Sequence, residues 1–181
     1  QHFKSVCAQT DKPVVLYNVP GRTGSNMLAE TTLRLARDIE NVVGVKEASG
    51  DLMQGMNIIK HKPEGFAVLS GDDPFAIGQM GAGYDGVISV IGNAFPKQYS
   101  DLVRAALHND FATAQQLQMQ LLDLFPLLFK EGNPAGIKMT LHILGICTPH
   151  VRLPLVDASD DLKAELQTAM EAAGLASATV V

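Results

Sequence analysis

Lys46 is the residue of this sequence whose surroundings best suit covalent chemistry. It closes the strand-like run Val42-Val43-Gly44-Val45, and the alternation of a strand places it on the face of Gly44 and Ala48. Burial among such small neighbours disfavours a charged ammonium and favours the neutral amine, which can attack a carbonyl carbon. Lys46 therefore predicts Schiff-base chemistry. The alternative is a structural lysine that extends its ammonium to the rim of the sheet.

Tyr17 and Arg22 could supply the groups that such chemistry needs. Tyr17 closes the run Val14-Val15-Leu16-Tyr17, and Arg22 stands in the loop Pro20-Gly21-Arg22-Thr23-Gly24 just beyond it. A phenol can pass a proton along a relay of hydroxyl groups, and a guanidinium can hold a carboxylate by two parallel hydrogen bonds. Ligands collect at the carboxyl ends of parallel strands, so Tyr17 and Lys46 could meet in one pocket. An ordinary core tyrosine and a solvated loop arginine are the alternatives.

Several other classes of site are disfavoured. The glycine-rich segments 70–74 and 81–86 match neither a GxGxxG motif nor a P-loop, and their aspartates would repel phosphate. Five histidines and two cysteines show no metal-ligand spacing, so we predict no metal and no cofactor. A net charge of -5 without a Lys/Arg run disfavours nucleic acid as a partner. No apolar run is long enough to span a membrane, and the two isolated cysteines fit a cytoplasmic protein.

Repeated strand and helix patterns are the elements that must position these residues. Four runs rich in Val, Ile and Leu, at 13–20, 42–48, 67–71 and 86–91, predict parallel strands covered on both faces. Asn26 and Asp51 are predicted to cap helices between them. Units of this length form either half of an eight-stranded barrel or a four-stranded open sheet.

Beyond Phe95 the pattern changes to consecutive helices. Asp110 and Ser159 are predicted N-caps, and Asn133 is a further N-cap followed by Pro134 at the first helical position. No low-complexity linker separates these helices from the strands before them. We therefore expect a helical appendage packed on the same fold.

Four segments together resemble a known family. They are 16–24 (LYNVPGRTG), 44–50 (GVKEASG), 69–73 (LSGDD) and 86–90 (GVISV). In these motifs the sequence closely resembles the dihydrodipicolinate synthase branch of the pyruvate-dependent lyase and aldolase family. The likeness covers almost the whole chain, including Asn133-Pro134. The resemblance implies an α/β fold, a (β/α)8 TIM barrel of which only the last four βα units are present, with a C-terminal helical extension.

The same resemblance implies domain limits and a set of site residues. Residues 1–108 would form strands 5–8 of the barrel, and residues 109–181 the extension packed on it. Lys46 matches the lysine that forms the imine with pyruvate, and Tyr17 the tyrosine that shuttles protons. Arg22 matches the arginine that receives the carboxylate of aspartate semialdehyde, whereas Gly71 and Ile88 match backbone positions lining the pyruvate site.

The implied reaction condenses pyruvate with aspartate semialdehyde, the first committed step of lysine and diaminopimelate biosynthesis. The family resemblance also implies a homo-oligomer, a dimer of dimers at full length. About half of the expected chain would precede Gln1, including hydroxyls that complete the relay with Tyr17, so we expect this chain alone to be nearly inactive. Two alternatives stay open: a sugar-acid aldolase of the same family, and a catalytically silent half-barrel that acts as an interaction module.

Overall fold

A computed structural model describes residues 1–176 of the chain and divides into two compact units. The first unit covers Gln1–Ser89, and the second begins at Val90. The first contains strands β1 (Val14–Asn18), β2 (Val42–Glu47), β3 (Ala67–Ser70) and β4 (Gly86–Val87). Its helices are α1 (His2–Cys7), α2 (Pro20–Thr23), α3 (Ala29–Asp38), α4 (Leu52–His61) and α5 (Ala76–Gly81), with a 3-10 turn at Asp73–Phe75.

The four strands form one parallel sheet in chain order, as the sequence predicts. Tyr17 of β1 pairs with Lys46 of β2, which pairs in turn with Leu69 of β3. β4 is much shorter than the predicted run, because the backbone at Val90 turns into the helical region and a 3-10 turn follows at Ile91–Asn93. The carboxyl ends of β1 to β4 therefore lie along one edge of the sheet.

The two faces of this sheet have different surroundings. Leu16, Val45 and Val68 are buried on the face packed against α3 and α4. Val15 and Tyr17 point to the other face, where their side chains are 43% and 49% exposed. The prediction that both faces are covered is therefore wrong for β1, since α3 and α4 lie on one side of the sheet.

The described part of the second unit consists of helices and their connections, and it contains no strand. Its helices are α6 (Pro96–Leu107), α7 (Phe111–Leu121), α8 (Leu124–Lys130), α9 (Ala135–Ile143) and α10 (Asp160–Ala172). Asp110 and Ser159 cap α7 and α10 through their side chains, as predicted. The cap predicted at Asn133 is wrong by one residue: Pro134 is the N-cap and Ala135 begins the helix. Among residues 1–176, no helix has the length and apolar character needed to cross a membrane.

Candidate active site

Tyr17 and Lys46 lie side by side on the open face of the sheet. Parallel pairing puts the two residues at the same level of neighbouring strands, so their side chains project in the same direction. Lys46 Nζ lies 4.4 Å from the centroid of the Tyr17 ring, within the range of a cation–π contact. Lys46 itself is half-buried. The structure thus places a primary amine over the face of a tyrosine ring on one surface.

Gly71 lies against the stem of Lys46. It follows β3 directly, and its N–H donates a hydrogen bond to the Glu47 carbonyl across the sheet, at 2.8 Å. A Cβ placed on Gly71 would come within 2.9 Å of Lys46 Cε and 2.5 Å of the Ala48 Cβ. The absence of a side chain at Gly71 therefore lets the Lys46 stem and Ala48 pack against its backbone, so that Gly71 adjoins the predicted nucleophile.

Ile88 and Arg22 lie at the same edge of the sheet. The Ile88 N–H donates to the Ser70 carbonyl at 2.9 Å, which extends the pairing one residue beyond β4, and its side chain is exposed. Arg22 lies on α2, the short helix that begins two residues after β1 ends, and is also exposed. All five predicted site residues thus lie at or just beyond the carboxyl ends of the strands.

A polar cluster, buried at Asn18, Glu47 and Gln54 and exposed at Asn26, lies behind the Tyr17–Lys46 pair, on the covered face of the sheet. It consists of Asn18, Asn26, Glu47 and Gln54, hereafter the Glu47 cluster. Asn18 Nδ2 donates to both carboxylate oxygens of Glu47, each at 3.0 Å, and to Asn26 Oδ1 at 2.9 Å. Gln54 Nε2 donates to Glu47 Oε2 at 3.1 Å. The cluster joins β1, β2 and α4.

Sequence reasoning missed this cluster and gave Asn26 a different role. Asn26 does not cap α3; the capping position is Leu28, and no side chain caps that helix end. Asn26 instead exchanges hydrogen bonds with the Gln54 amide, at 3.0 and 3.2 Å. The sequence does contain a signal for the cluster. Asn18 and Glu47 directly follow Tyr17 and Lys46, so strand alternation places two polar side chains on the otherwise apolar, covered face of the sheet.

Acidic groups shape the electrostatics at the ends of β3 and β4. Burial, followed by the neighbouring Asp73 charge, raises the pKa of Asp72, which comes directly after Gly71. Burial also raises the pKa of Tyr84 to about 12, with the charges of Glu47 and Asp51 adding to the effect. The part of the chain from residue 1 to 176 contains no group of three or more side chains placed to hold a metal ion.

Comparison with known proteins gives consistent matches. The profile of the dihydrodipicolinate synthetase family matches residues 1–173. The 4-hydroxy-tetrahydrodipicolinate synthase of Phocaeicola vulgatus is 54% identical over 156 residues, which are 86% of this chain and 52% of that protein. The chain thus spans about half the length of this curated relative.

Solved structures agree with these sequence matches. Dihydrodipicolinate synthase from Aquifex aeolicus superposes with a TM-score of 0.92 at 38% identity, over 96% of this chain and 59% of that one. The chloride-inhibited dihydrodipicolinate synthase from Acinetobacter baumannii, solved with pyruvate, gives a TM-score of 0.91 at 38% identity, over 97% and 60% of the two chains. The matches extend across both units of this chain.

Proposed function

The chain belongs to the dihydrodipicolinate synthetase family, and we propose from this membership that Lys46 forms a Schiff base with pyruvate. The imine begins a condensation with aspartate semialdehyde, the committing step of lysine and diaminopimelate biosynthesis. The observation that carries the proposal is the contact between Lys46 Nζ and the Tyr17 ring, 4.4 Å apart at the carboxyl ends of parallel strands. The names of the relatives favour the synthase over a sugar-acid aldolase.

In the proposed mechanism, the neutral Lys46 amine attacks the ketone carbon of pyruvate, and loss of water from the carbinolamine gives an iminium. Loss of a proton from the methyl carbon then gives an enamine, whose carbon adds to the aldehyde of the semialdehyde. Attack by the semialdehyde amine on the iminium carbon closes the ring and releases Lys46. Tyr17, beside the amine, accepts and returns protons through its hydroxyl in these steps.

The other predicted residues have positioning roles in this proposal. Gly71 leaves room for the Lys46 stem and, with the backbone at Ile88, lines the pyruvate carboxylate. Arg22 receives the carboxylate of the semialdehyde through its guanidinium fork. No cofactor takes part, because the imine itself supplies the electron sink.

We further propose that residues 1–108 form strands 5–8 of a (β/α)8 barrel, with residues 109–181 as its extension. The open sheet face that carries Tyr17 and Lys46 would then be the barrel interior. In a longer chain we expect a cytoplasmic homo-oligomer, a dimer of dimers. Because the proton relay needs hydroxyls beyond those of this chain, the 181 residues alone should turn over aspartate semialdehyde only in traces.

Reductive trapping tests the proposal on the chain as it stands. Incubation with pyruvate and sodium borohydride should add the mass of one reduced pyruvate, and peptide mapping should place it on Lys46. Lys46→Arg should abolish the adduct, whereas Lys60→Arg, at an exposed lysine on α4, should leave it unchanged. Adducts spread over several lysines, or an adduct that survives Lys46→Arg, would refute the proposed chemistry.

A further inference from the structure

Glu47 is an acidic side chain buried deeply in the first unit, although nothing in the proposed reaction uses it. Its side chain is 2% exposed and points away from Lys46, into the face covered by α4. Burying a carboxylate is strongly unfavourable unless hydrogen bonds replace its hydration. Because the Glu47 carboxylate is buried in spite of this penalty and directly follows Lys46, we ask what function its burial serves.

Neutral donors surround the Glu47 carboxylate. The Ser49 N–H donates to Oε1 at 2.8 Å, Gln54 Nε2 donates to Oε2 at 3.1 Å, and Asn18 Nδ2 reaches both oxygens at 3.0 Å. An ionised carboxylate is an acceptor without a proton to donate, so it fits this ring of N–H groups at every position. A side-chain amide of the same shape would turn its NH2 toward other NH2 groups.

The orientations of the neighbouring amides are fixed from outside the cluster. The Met27 N–H donates to Asn18 Oδ1 at 2.9 Å, which turns Asn18 Nδ2 toward Glu47. Gln54 Nε2 also donates to the Met27 carbonyl at 3.3 Å, which turns its oxygen away from the carboxylate. Neither amide can therefore flip to accept from a new donor at position 47 without losing a backbone partner.

The Glu47 cluster lies directly behind the Tyr17–Lys46 pair. Asn18 pairs with Glu47 in the sheet, just as Tyr17 pairs with Lys46 one residue earlier. The hydrogen bonds between Asn18 and Glu47 thus clamp the two strands at the level where the amine meets the phenol, while Gln54 ties the clamp to α4. Sliding or tilting either strand would break these bonds.

We propose that Glu47 is a positioning residue that fixes Lys46 against Tyr17 by clamping β2 to β1 and α4. The proposal deepens the proposed function and rests on it for its catalytic consequence. Its structural consequence, the fixed contact between amine and ring, can be measured without pyruvate.

Glu47→Gln tests the structural consequence by NMR of the 181-residue chain. Because Lys46 lies over the Tyr17 ring, the ring current should displace the chemical shift of its ε-methylene protons upfield of the value in the Tyr17→Leu variant. In Glu47→Gln we expect at least half of this displacement to disappear. Ile58→Val is the matched control, since it removes one methylene from a fully buried residue of α4 outside the cluster and should keep the displacement. A folded Glu47→Gln chain with the full displacement would overturn the proposal.

Reductive trapping then tests the catalytic consequence. Because a shift of about 1 Å at a reacting group can cost about 100-fold in rate, Glu47→Gln should lower the limiting trapping rate by about 10- to 100-fold. If Glu47 had only a structural role, Glu47→Gln would lower the fraction of folded molecules, as Ile58→Val does, but not the trapping rate per folded molecule. An unchanged rate per folded Glu47→Gln molecule would therefore overturn the proposal.

Two outcomes need a second measurement. If Glu47→Gln does not fold, we use Asn18→Ala instead, because this variant removes the same hydrogen bonds between β1 and β2 from the β1 side. Loss of the upfield displacement in Asn18→Ala would support the proposal, and its retention would overturn the proposal. If the unmodified chain forms no pyruvate adduct, the proposed function fails, and the NMR comparison alone decides whether Glu47 positions Lys46.

Discussion

The close approach of Gly71 to the Lys46 stem makes Gly71→Ala the most informative single substitution. Gly71 lies outside the left-handed backbone region, so alanine is compatible with its main-chain conformation. Only contacts decide the effect. The new methyl carbon would lie 2.5 Å from the Ala48 Cβ and 2.9 Å from Lys46 Cε.

The size of the effect follows from these distances. Non-bonded carbon atoms settle at about 3.5–4.0 Å, so Ala48 must yield by about 1 Å. The Ala48 Cβ is attached to the backbone and cannot rotate away, whereas the lysine stem can. Overpacking of this kind costs about 1–3 kcal/mol of unfolding free energy, and displacing the amine by about 1 Å should slow imine formation by about 100-fold.

Denaturant unfolding and borohydride trapping with pyruvate measure the two effects separately. Gly78→Ala on α5 is the control, because its added methyl meets no atom within 4 Å. It should stabilise the chain by about 0.5–1 kcal/mol through helix propensity and leave trapping unchanged. Adding Ala48→Gly to Gly71→Ala should restore part of both losses. If Gly71→Ala matches the unmodified chain in stability and trapping rate, the reasoning from this contact is wrong.

Three further substitutions test the roles of Tyr17, Arg22 and Asp72. Tyr17→Phe keeps the ring beside Lys46 but removes the hydroxyl, and should slow adduct formation by about 100-fold or more, as followed by mass spectrometry. Arg22→Ala should leave the rate of pyruvate trapping unchanged, since the proposed role of Arg22 concerns the second substrate; a large loss would contradict that role. Asp72→Asn should raise the unfolding free energy at pH 7, because the folded state holds this carboxyl at a raised pKa and loses stability as pH rises. This gain in unfolding free energy should vanish when denaturation is measured at successively lower pH, down to the ordinary carboxyl pKa of 3.8. A gain that stays constant with pH would contradict the raised pKa of Asp72.

The sheet and the position of the reactive pair follow from sequence for a simple reason. Strand alternation and the parallel arrangement require only local patterns, and these place Tyr17 and Lys46 at equivalent ends of neighbouring strands. The exposure of the Val15 and Tyr17 face could not be predicted that way. It depends on what covers the sheet, and an apolar residue in a strand does not say whether a partner lies over it.

The Glu47 cluster shows a second limit. Glu47 and Asn18 can be placed on the covered face by counting, but their partner Gln54 comes from α4 and Asn26 from the segment before α3. A strong local preference for helix caps made Asn26 look like the start of α3, whereas its tertiary hydrogen bonds to Asn18 and Gln54 decide its place. Local propensity could not anticipate such long-range pairing.

A crystal structure of the chain reduced with borohydride in the presence of pyruvate is the most direct measurement of the central claim. We expect continuous density from Lys46 Nζ to the central carbon of the reduced keto acid, with the Tyr17 ring beside it and the carboxylate toward Gly71 and Ile88. Density joined to another lysine, or an unmodified Lys46 directed away from Tyr17, would contradict it.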